Sequence, residues 1–264
     1  MCRQSNEDPL PAYRDDAFMD GDAGRPLRIL AEYLEPLERF KRLEITDTVV
    51  FFGSARIREG GPLERYYRDA RELARLLTVW SNVLPDKGRF VVCSGGGGGI
   101  MEAANRGASD AGGRSIGLNI GLPHEQRPNP FITQDLCLEF HYFFMRKLWF
   151  SHLARALVVF PGGFGTLDEL LEVLTLSQTQ KLARRIPILL YGSEFWRRIL
   201  DFEALVEHGL IDREDLSLFA TVDDPMQAFS LLREHLPQRS EGQPAFASSN
   251  TSASCIGSLK SSAR

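Results

Sequence analysis

Four apolar runs share one grammar. "TVVFFGSA", "RFVVCSGGGGG", "ALVVFPGGFG" and "IPILLYGS" each hold a short apolar stretch that ends abruptly in small residues. Each is followed by a longer segment with helical spacing. Residues 62–82, for example, put Leu73, Leu76, Leu77 and Trp80 on one side. A strand that faces water on one side alternates polar and apolar residues. One covered on both sides does not, so unbroken runs between helices argue for a parallel sheet with helices on both faces. The same reading gives a first helix over 26–44 and helices in "IMEAANRGASDAG", "YFFMRKLWFSHLA" and "TLDELLEVLTLSQTQ". It adds helices over 193–208 and 224–236, and strands in "SIGLNI", "LCLEF" and near Leu218–Val222. The expected class is α/β, a modified Rossmann-like fold with a mostly parallel sheet.

At 264 residues and 43% hydrophobic content, the chain suits one domain with a sizeable core. We expect a single nucleotide-binding domain over residues 25–238. Residues 1–24 are polar and rich in Pro, Asp and Arg, and residues 239–264 are Ser-rich, so both read as disordered. A net charge of −4 gives no overall basic footprint for nucleic acid. Cysteines 2, 93, 137 and 255 have neither CxxC nor zinc-like spacing, and the five histidines are scattered. No apolar run approaches a membrane span of roughly 20 residues. The start "MCRQSNEDPLPAYRDD" lacks the apolar core of a signal peptide. The expectation is a cytoplasmic protein without metal, nucleic-acid or membrane partners.

Two glycine groups follow two of the strands: Gly95 to Gly99 after "VVCS", and Gly162, Gly163 and Gly165 after "LVVF". In open α/β sheets ligands bind beyond the carboxyl ends of the strands. Glycine lets backbone N–H groups line a concavity there, and the helix that follows adds its unpaired amides and positive dipole end. Such a place suits a phosphate. Either group alone also reads as a plain strand-to-helix turn. No GxxxxGK[ST] is present, the five-glycine run cannot hold G-x-G-x-x-G in register, and "SIGLNIGL" carries no ribose-binding acid. A mononucleotide fits better than a dinucleotide.

Thr166-Leu-Asp-Glu169 has the form of a capping box, in which Thr166 caps and Glu169 only reaches back. Arg146 argues for chemistry instead. It lies in "HYFFMRKLWF", where its helical neighbours Tyr142, Phe143, Trp149 and Phe150 are all aromatic. An arginine in such company snorkels to water or takes an anion partner. Lys147 is expected to face solvent, and most of the aromatics to be core, with a partner face as the alternative.

"PGGFGTLDE" matches PGGxGTxxE, and with "FGSAR", "SGGGGGIMEAANRGA", "GLNIGLPHEQRPNPFIT" and "FHYFFMRKLWF" the chain resembles the LOG (Lonely guy) family in its longer, bacterial-type branch. These are the cytokinin riboside 5'-monophosphate phosphoribohydrolases, long described as lysine decarboxylases. The resemblance runs from about Thr48 to Leu236, with glycine at 98 where the branch usually has proline. It implies a homodimer or dimer-based oligomer. It also implies hydrolysis of a nucleoside 5'-monophosphate, AMP or a cytokinin riboside 5'-monophosphate, to free base and ribose 5-phosphate, with no cofactor. The family's catalytic pair falls on Arg146 and Glu169. Its phosphate-binding residues fall on Gly95, Gly96, Gly97, Gly99, Gly162, Gly163, Gly165 and Thr166. On the same resemblance Ser54 and Arg56 would face the same crevice, and Glu102 is a further candidate for ligand binding. In that chemistry positive charge builds on the ribose ring. Glu169 then stabilises it, binds ribose hydroxyls or positions the attacking water.

Two other classes stand beside this reading. A non-catalytic nucleotide sensor would keep the glycine turns but has no need of the Arg–Glu pair. A lysine decarboxylase needs a Schiff-base lysine for pyridoxal phosphate, and only Lys147 lies beside the site.

Overall fold

A computed structural model describes residues 10–86, 88–121, 127–182 and 185–236. The elements run α1 (Asp16–Asp20), α2 (Arg25–Arg42), β1 (Thr48–Phe52), α3 (Glu64–Asn82), β2 (Val91–Ser94), α4 (Ile100–Asp110) and β3 (Ser115–Ile120). They continue β4 (Cys137–Phe140), α5 (Phe143–His152), β5 (Ala154–Val159), α6 (Phe164–Gln178), β6 (Ile188–Tyr191), α7 (Ser193–Ile199), α8 (Phe202–Glu207), β7 (Phe219–Val222) and α9 (Pro225–His235).

The seven strands form one sheet in the order β4-β3-β2-β1-β5-β6-β7, and every pairing is parallel. The chain builds outward from β1 to β4, then crosses back to the other side of β1 for β5 to β7. The switch point therefore lies between β1 and β5, where the direction of strand addition reverses. Phe51 of β1 pairs with Ser94 of β2 on one side and Val158 of β5 on the other. The three strands end level, and their turns leave the sheet at one height.

Alternation along β1 divides the core in two. Val49 and Phe51 join a cluster with Leu73 and Leu77 of α3, Ile100 and Ala104 of α4, and Leu232 of α9. Val50 and Phe52 face the other way, toward Phe40 of α2, Trp149 and Phe150 of α5, and Leu170 and Val173 of α6. The sheet is thus covered on both faces, as its unbroken apolar strands require. Among the described residues no helix is long and apolar enough to cross a membrane.

Some boundaries differ from the sequence reading. The 193–208 segment is two helices, because Asp201 caps α8 by accepting from the Ala204 amide at 3.0 Å. The 1–24 segment is not featureless where it is described. It holds α1 and flanking helical turns, and Arg28 ties it to α2 through the carbonyls of Met19 and Gly21. Residues 1–9, and the tail over 239–264, lie outside the described residues.

Candidate active site

Three loops meet at the switch point. The Ser54 amide donates to Pro161 O at 3.0 Å, and the Ile100 amide donates to Ser54 O at 3.1 Å. The loop after β1 is thereby tied to the second glycine turn and to the start of α4. The fit at Gly99 demands glycine. Its φ is +66°, and a Cβ there would stand 2.2 Å from Ser54 O. Ser54 Oγ accepts from the Arg56 amide at 3.1 Å, and the Arg56 side chain is exposed.

The first glycine turn is held from behind by a buried polar network. Ser94 Oγ donates to Asn105 Oδ1 at 2.7 Å and accepts from the Gly96 amide at 3.1 Å. Asn129 Nδ2 lies 3.1 Å from Gly96 O, 3.0 Å from Gly97 O and 2.9 Å from Asn105 Oδ1. Gly96 itself is left-handed, with φ +75°, and packs against the Asn119 amide group. These bonds draw the carbonyls of Gly96 and Gly97 backward. The amides of Gly97, Gly98 and Gly99 donate to no other described residue. The Gly96 amide, by contrast, is spent on Ser94, so that residue shapes the turn.

The second turn works differently. Helix α6 begins at Phe164 with Gly163 as its N-cap, two residues earlier than "TLDELL" suggested. Thr166 therefore sits inside the first turn, nearly buried, with its side chain over Gly162. A Cβ at Gly162 would stand 2.1 Å from Thr166 Oγ1. Gly163 and Gly165 face open space. No capping box forms: Thr166 is not the cap, and Glu169 is buried one turn further along the helix.

Arg146 comes from α5 and reaches between the two turns. Its Nη2 lies 4.0 Å from Glu169 Oε1, with the side chains only 14% and 10% exposed. A Cβ on Gly95 would come within 3.3 Å of the same Nη2, so the guanidinium rests against the first turn. Phe143 and Phe150 flank it, with ring centroids 5.9 and 5.3 Å from Cζ, and its Nε is buried without a partner among the described residues. A cleft of about 170 Å³ opens here, lined by Gly95, Gly97, Met101, Asn119, Ile120, Phe143 and Arg146. Burial pushes the Glu169 carboxyl up to about 7, against the opposing pull of Arg146 and then Lys147. Burial likewise lowers Arg146, with Glu169 acting the other way.

Two residues stand apart from expectation. Glu102 accepts from Tyr67 Oη at 2.8 Å, which turns it toward α3 and outside the lining of the cleft. Lys147 does not face solvent freely. Its Nζ lies 2.7 Å from Asp168 Oδ2 and 2.8 Å from Glu172 Oε2. Sequence reasoning missed Ser94, Asn105, Asn119 and Asn129. The available signal was polar residues in apolar places: Asn105 in the alanine stripe of α4 and Asn119 inside β3.

The fold and site define a Rossmann-like α/β protein with a polar crevice at the switch point of its sheet. The family model described as "Possible lysine decarboxylase" matches residues 101–232, half of the chain, and the chain belongs to that family, the LOG family. The cytokinin riboside 5'-monophosphate phosphoribohydrolase LOG2 of Arabidopsis thaliana is 25% identical over 78% of this chain and 89% of its own. The corresponding LOG enzyme of Oryza sativa subsp. japonica is 28% identical over 79% of each, and that of Rhodococcoides fascians is 29% identical over 43% of this chain and 56% of its own. At family level these relatives support a hydrolase with a small nucleotide substrate. The X-ray structure of TM1055, a structural genomics target, shares the fold with a TM-score of 0.53 and 23% identity, over 71% of this chain and 99% of that one.

Proposed function

We propose that this protein hydrolyses the N-glycosidic bond of a nucleoside 5'-monophosphate, AMP or a cytokinin riboside 5'-monophosphate, to free base and ribose 5-phosphate. The observation that carries the reading is the largely desolvated Arg146–Glu169 pair, 4.0 Å apart with side chains 14% and 10% exposed, beside two turns with amides that have no partner among the described residues. Burying a carboxylate and a guanidinium without close hydrogen bonds between them is costly for a fold. A pair kept at that cost beside an amide-lined crevice serves chemistry better than stability.

The geometry supports the following division of labour. The free amides of Gly97 and Gly99, with the first-turn amides of α6 around Gly163, Gly165 and Thr166, hold the 5'-phosphate. Gly95 and Gly162 allow Arg146 and Thr166 to come close, and Ser54 locks the two turns together. Phosphate binding fixes the ribose so that C1' meets Glu169. As the bond to the base nitrogen breaks, its electrons leave with the base and positive charge spreads over C1' and the ring oxygen. The Glu169 carboxylate opposes that charge or orients the water whose oxygen bonds to C1', while the proton that water gives up ends on the nitrogen of the departing base. Arg146 keeps Glu169 ionised more readily than burial alone would allow, and faces the negative charge on the departing base.

A nucleotide sensor would have no use for this desolvated pair. A pyridoxal-dependent decarboxylase needs a lysine free to form a Schiff base. Lys147, the lysine beside the site, is bound to two carboxylates. Burial alone would lower its pKa, but Asp168 and Glu172 raise it. We further read the protein as cytoplasmic and as a homodimer. The exposed Phe143 and Phe144 of α5, with Leu148 and with Leu171 of α6, would meet a second copy beside the site. Analytical ultracentrifugation checks that assignment.

The deciding experiment incubates the protein with a panel of nucleoside 5'-monophosphates and follows free base and ribose 5-phosphate by chromatography. Release of both in equal amounts is expected. Binding of AMP without release of either product would favour the sensor.

A further inference from the structure

We propose that Lys147 is a positioning residue: by clamping Asp168 and Glu172 it fixes α5 on α6 and cancels the two carboxylates that flank Glu169. The assignment rests on the reading of Arg146 and Glu169 as the working pair. Its geometry stands independently of that reading.

Asp168 and Glu172 are four residues apart on α6, so they share one face and bracket Glu169. Lys147 Nζ meets both, at 2.7 and 2.8 Å, with its own side chain only 19% exposed. Arg146 is the adjacent residue of α5, one step around the helix, and points to Glu169. Neighbouring cations of a ten-residue helix thus address three acids of α6: one buried acid and the two at its rim. Sliding α5 along α6 would break the rim contacts and separate the inner pair together. The second role is electrostatic. From α5, Arg146 and Lys147 both favour the ionised form of Glu169, while from α6, Glu172 and Asp168 oppose it. From β2, Cys93 acts on Arg146 and not on Glu169, and burial drives its thiol far up. With Lys147 in place the rim acids are compensated. Without it, three carboxylates crowd one turn and a half of helix.

The test reads Glu169 directly. In protein labelled with 13C-glutamate, the Glu169 carboxyl resonance is identified by its loss in Glu169→Gln and titrated in wild type, Lys147→Met, Lys147→Arg and the double variant Asp168→Asn/Glu172→Gln. The wild-type midpoint is expected at about 7. Lys147→Met should raise it by about half a unit or more, and Lys147→Arg should hold it near wild type. The double variant should move it down, because the two rim acids oppose ionisation of Glu169, and Lys147→Met added to the double variant should raise the midpoint less than Lys147→Met alone. The acid limb of kcat/KM for AMP should shift with each midpoint. Unchanged midpoints in both Lys147→Met and the double variant would overturn the proposal. Shifted midpoints in a protein that releases no base from any monophosphate would uphold the clamp and remove the proposed activity instead.

Discussion

Arg146 Nη2 and Glu169 Oε1 face each other at 4.0 Å across the junction of α5 and α6. That separation is longer than a hydrogen bond, so the two groups interact through space and each keeps hydrogen-bonding capacity for another partner. Unit charges at this distance attract by about 4 kcal/mol at an effective dielectric of about 20. Even so, burial dominates, and the carboxyl stays well above its ordinary range. The Glu169→Gln variant keeps shape and removes charge. Turnover of AMP should fall on the order of a hundredfold or more, with the circular dichroism spectrum retained. Near-full turnover in that variant would return Glu169 to a structural role.

The same carboxyl fixes a pH dependence. If it works as the carboxylate, kcat/KM should rise as pH passes through about 7, where the free enzyme's Glu169 ionises. Stability should move the opposite way. The folded chain retains a proton that the unfolded chain releases near 4.5, so this contribution is complete below about pH 4.5 and is lost as pH rises through about 7. Glu169→Gln has no such proton to lose. Urea unfolding from pH 4 to pH 8 should therefore show a decline in wild type that the variant lacks, on the order of 1–3 kcal/mol. Parallel pH curves for the two proteins would contradict this.

The fold was legible because its strands are covered on both sides. "TVVFF" and "ALVVF" could not alternate, and the parallel sheet followed from them. Of the two glycine turns, the first lines the cleft through Gly95 and Gly97, and Arg146, for which the sequence left both water and an anion partner open, lies 4.0 Å from Glu169. The start of α6 was not legible. Thr166 looks like a cap locally, but Gly163 takes that place because the Pro-Gly-Gly turn feeds directly into the helix, and Thr166 is drawn over Gly162. Nor could spacing alone show that Asn129, more than twenty residues beyond Asn105, returns to support the first turn. Long-range hydrogen bonds leave no period in a sequence.

The glycines of the first turn should not respond alike. Gly96 has φ +75° and a Cβ there would stand 2.2 Å from Asn119 Oδ1; Gly99 has φ +66° and would strike the backbone of Ser54 and Ala55. Alanine at either should cost more than 1 kcal/mol, roughly, and raise KM for AMP, because the turn must open. Gly98, where the family branch usually has proline, has no such demand: its nearest neighbour is Ala55 O at 3.7 Å, and its φ is not left-handed. Gly98→Ala should preserve activity and raise stability by about 0.4–1 kcal/mol, since it narrows the unfolded ensemble. Thermal melts and AMP kinetics of the three variants give the comparison, and equal losses at all three positions would mean that this account of the turn is wrong.

Asn129 offers a test of the support behind that turn. Its side-chain amide meets Gly96 O, Gly97 O and Asn105 Oδ1, and its own backbone amide donates to Gly96 O at 2.8 Å. The side chain touches neither Arg146 nor Glu169 in any hydrogen bond, so its removal should leave the chemical pair in place. Asn129→Ala strips donors from buried acceptors, at about 1–3 kcal/mol, and frees the Gly97 peptide to rotate. A rotated peptide turns a carbonyl where an amide had faced the crevice, and an anion is repelled where it was held. The expected signature is a rise in KM for AMP several times larger than any fall in kcat, together with weakened competition by ribose 5-phosphate. If kcat collapses while KM holds, the first turn acts on the reacting carbon and not on the phosphate.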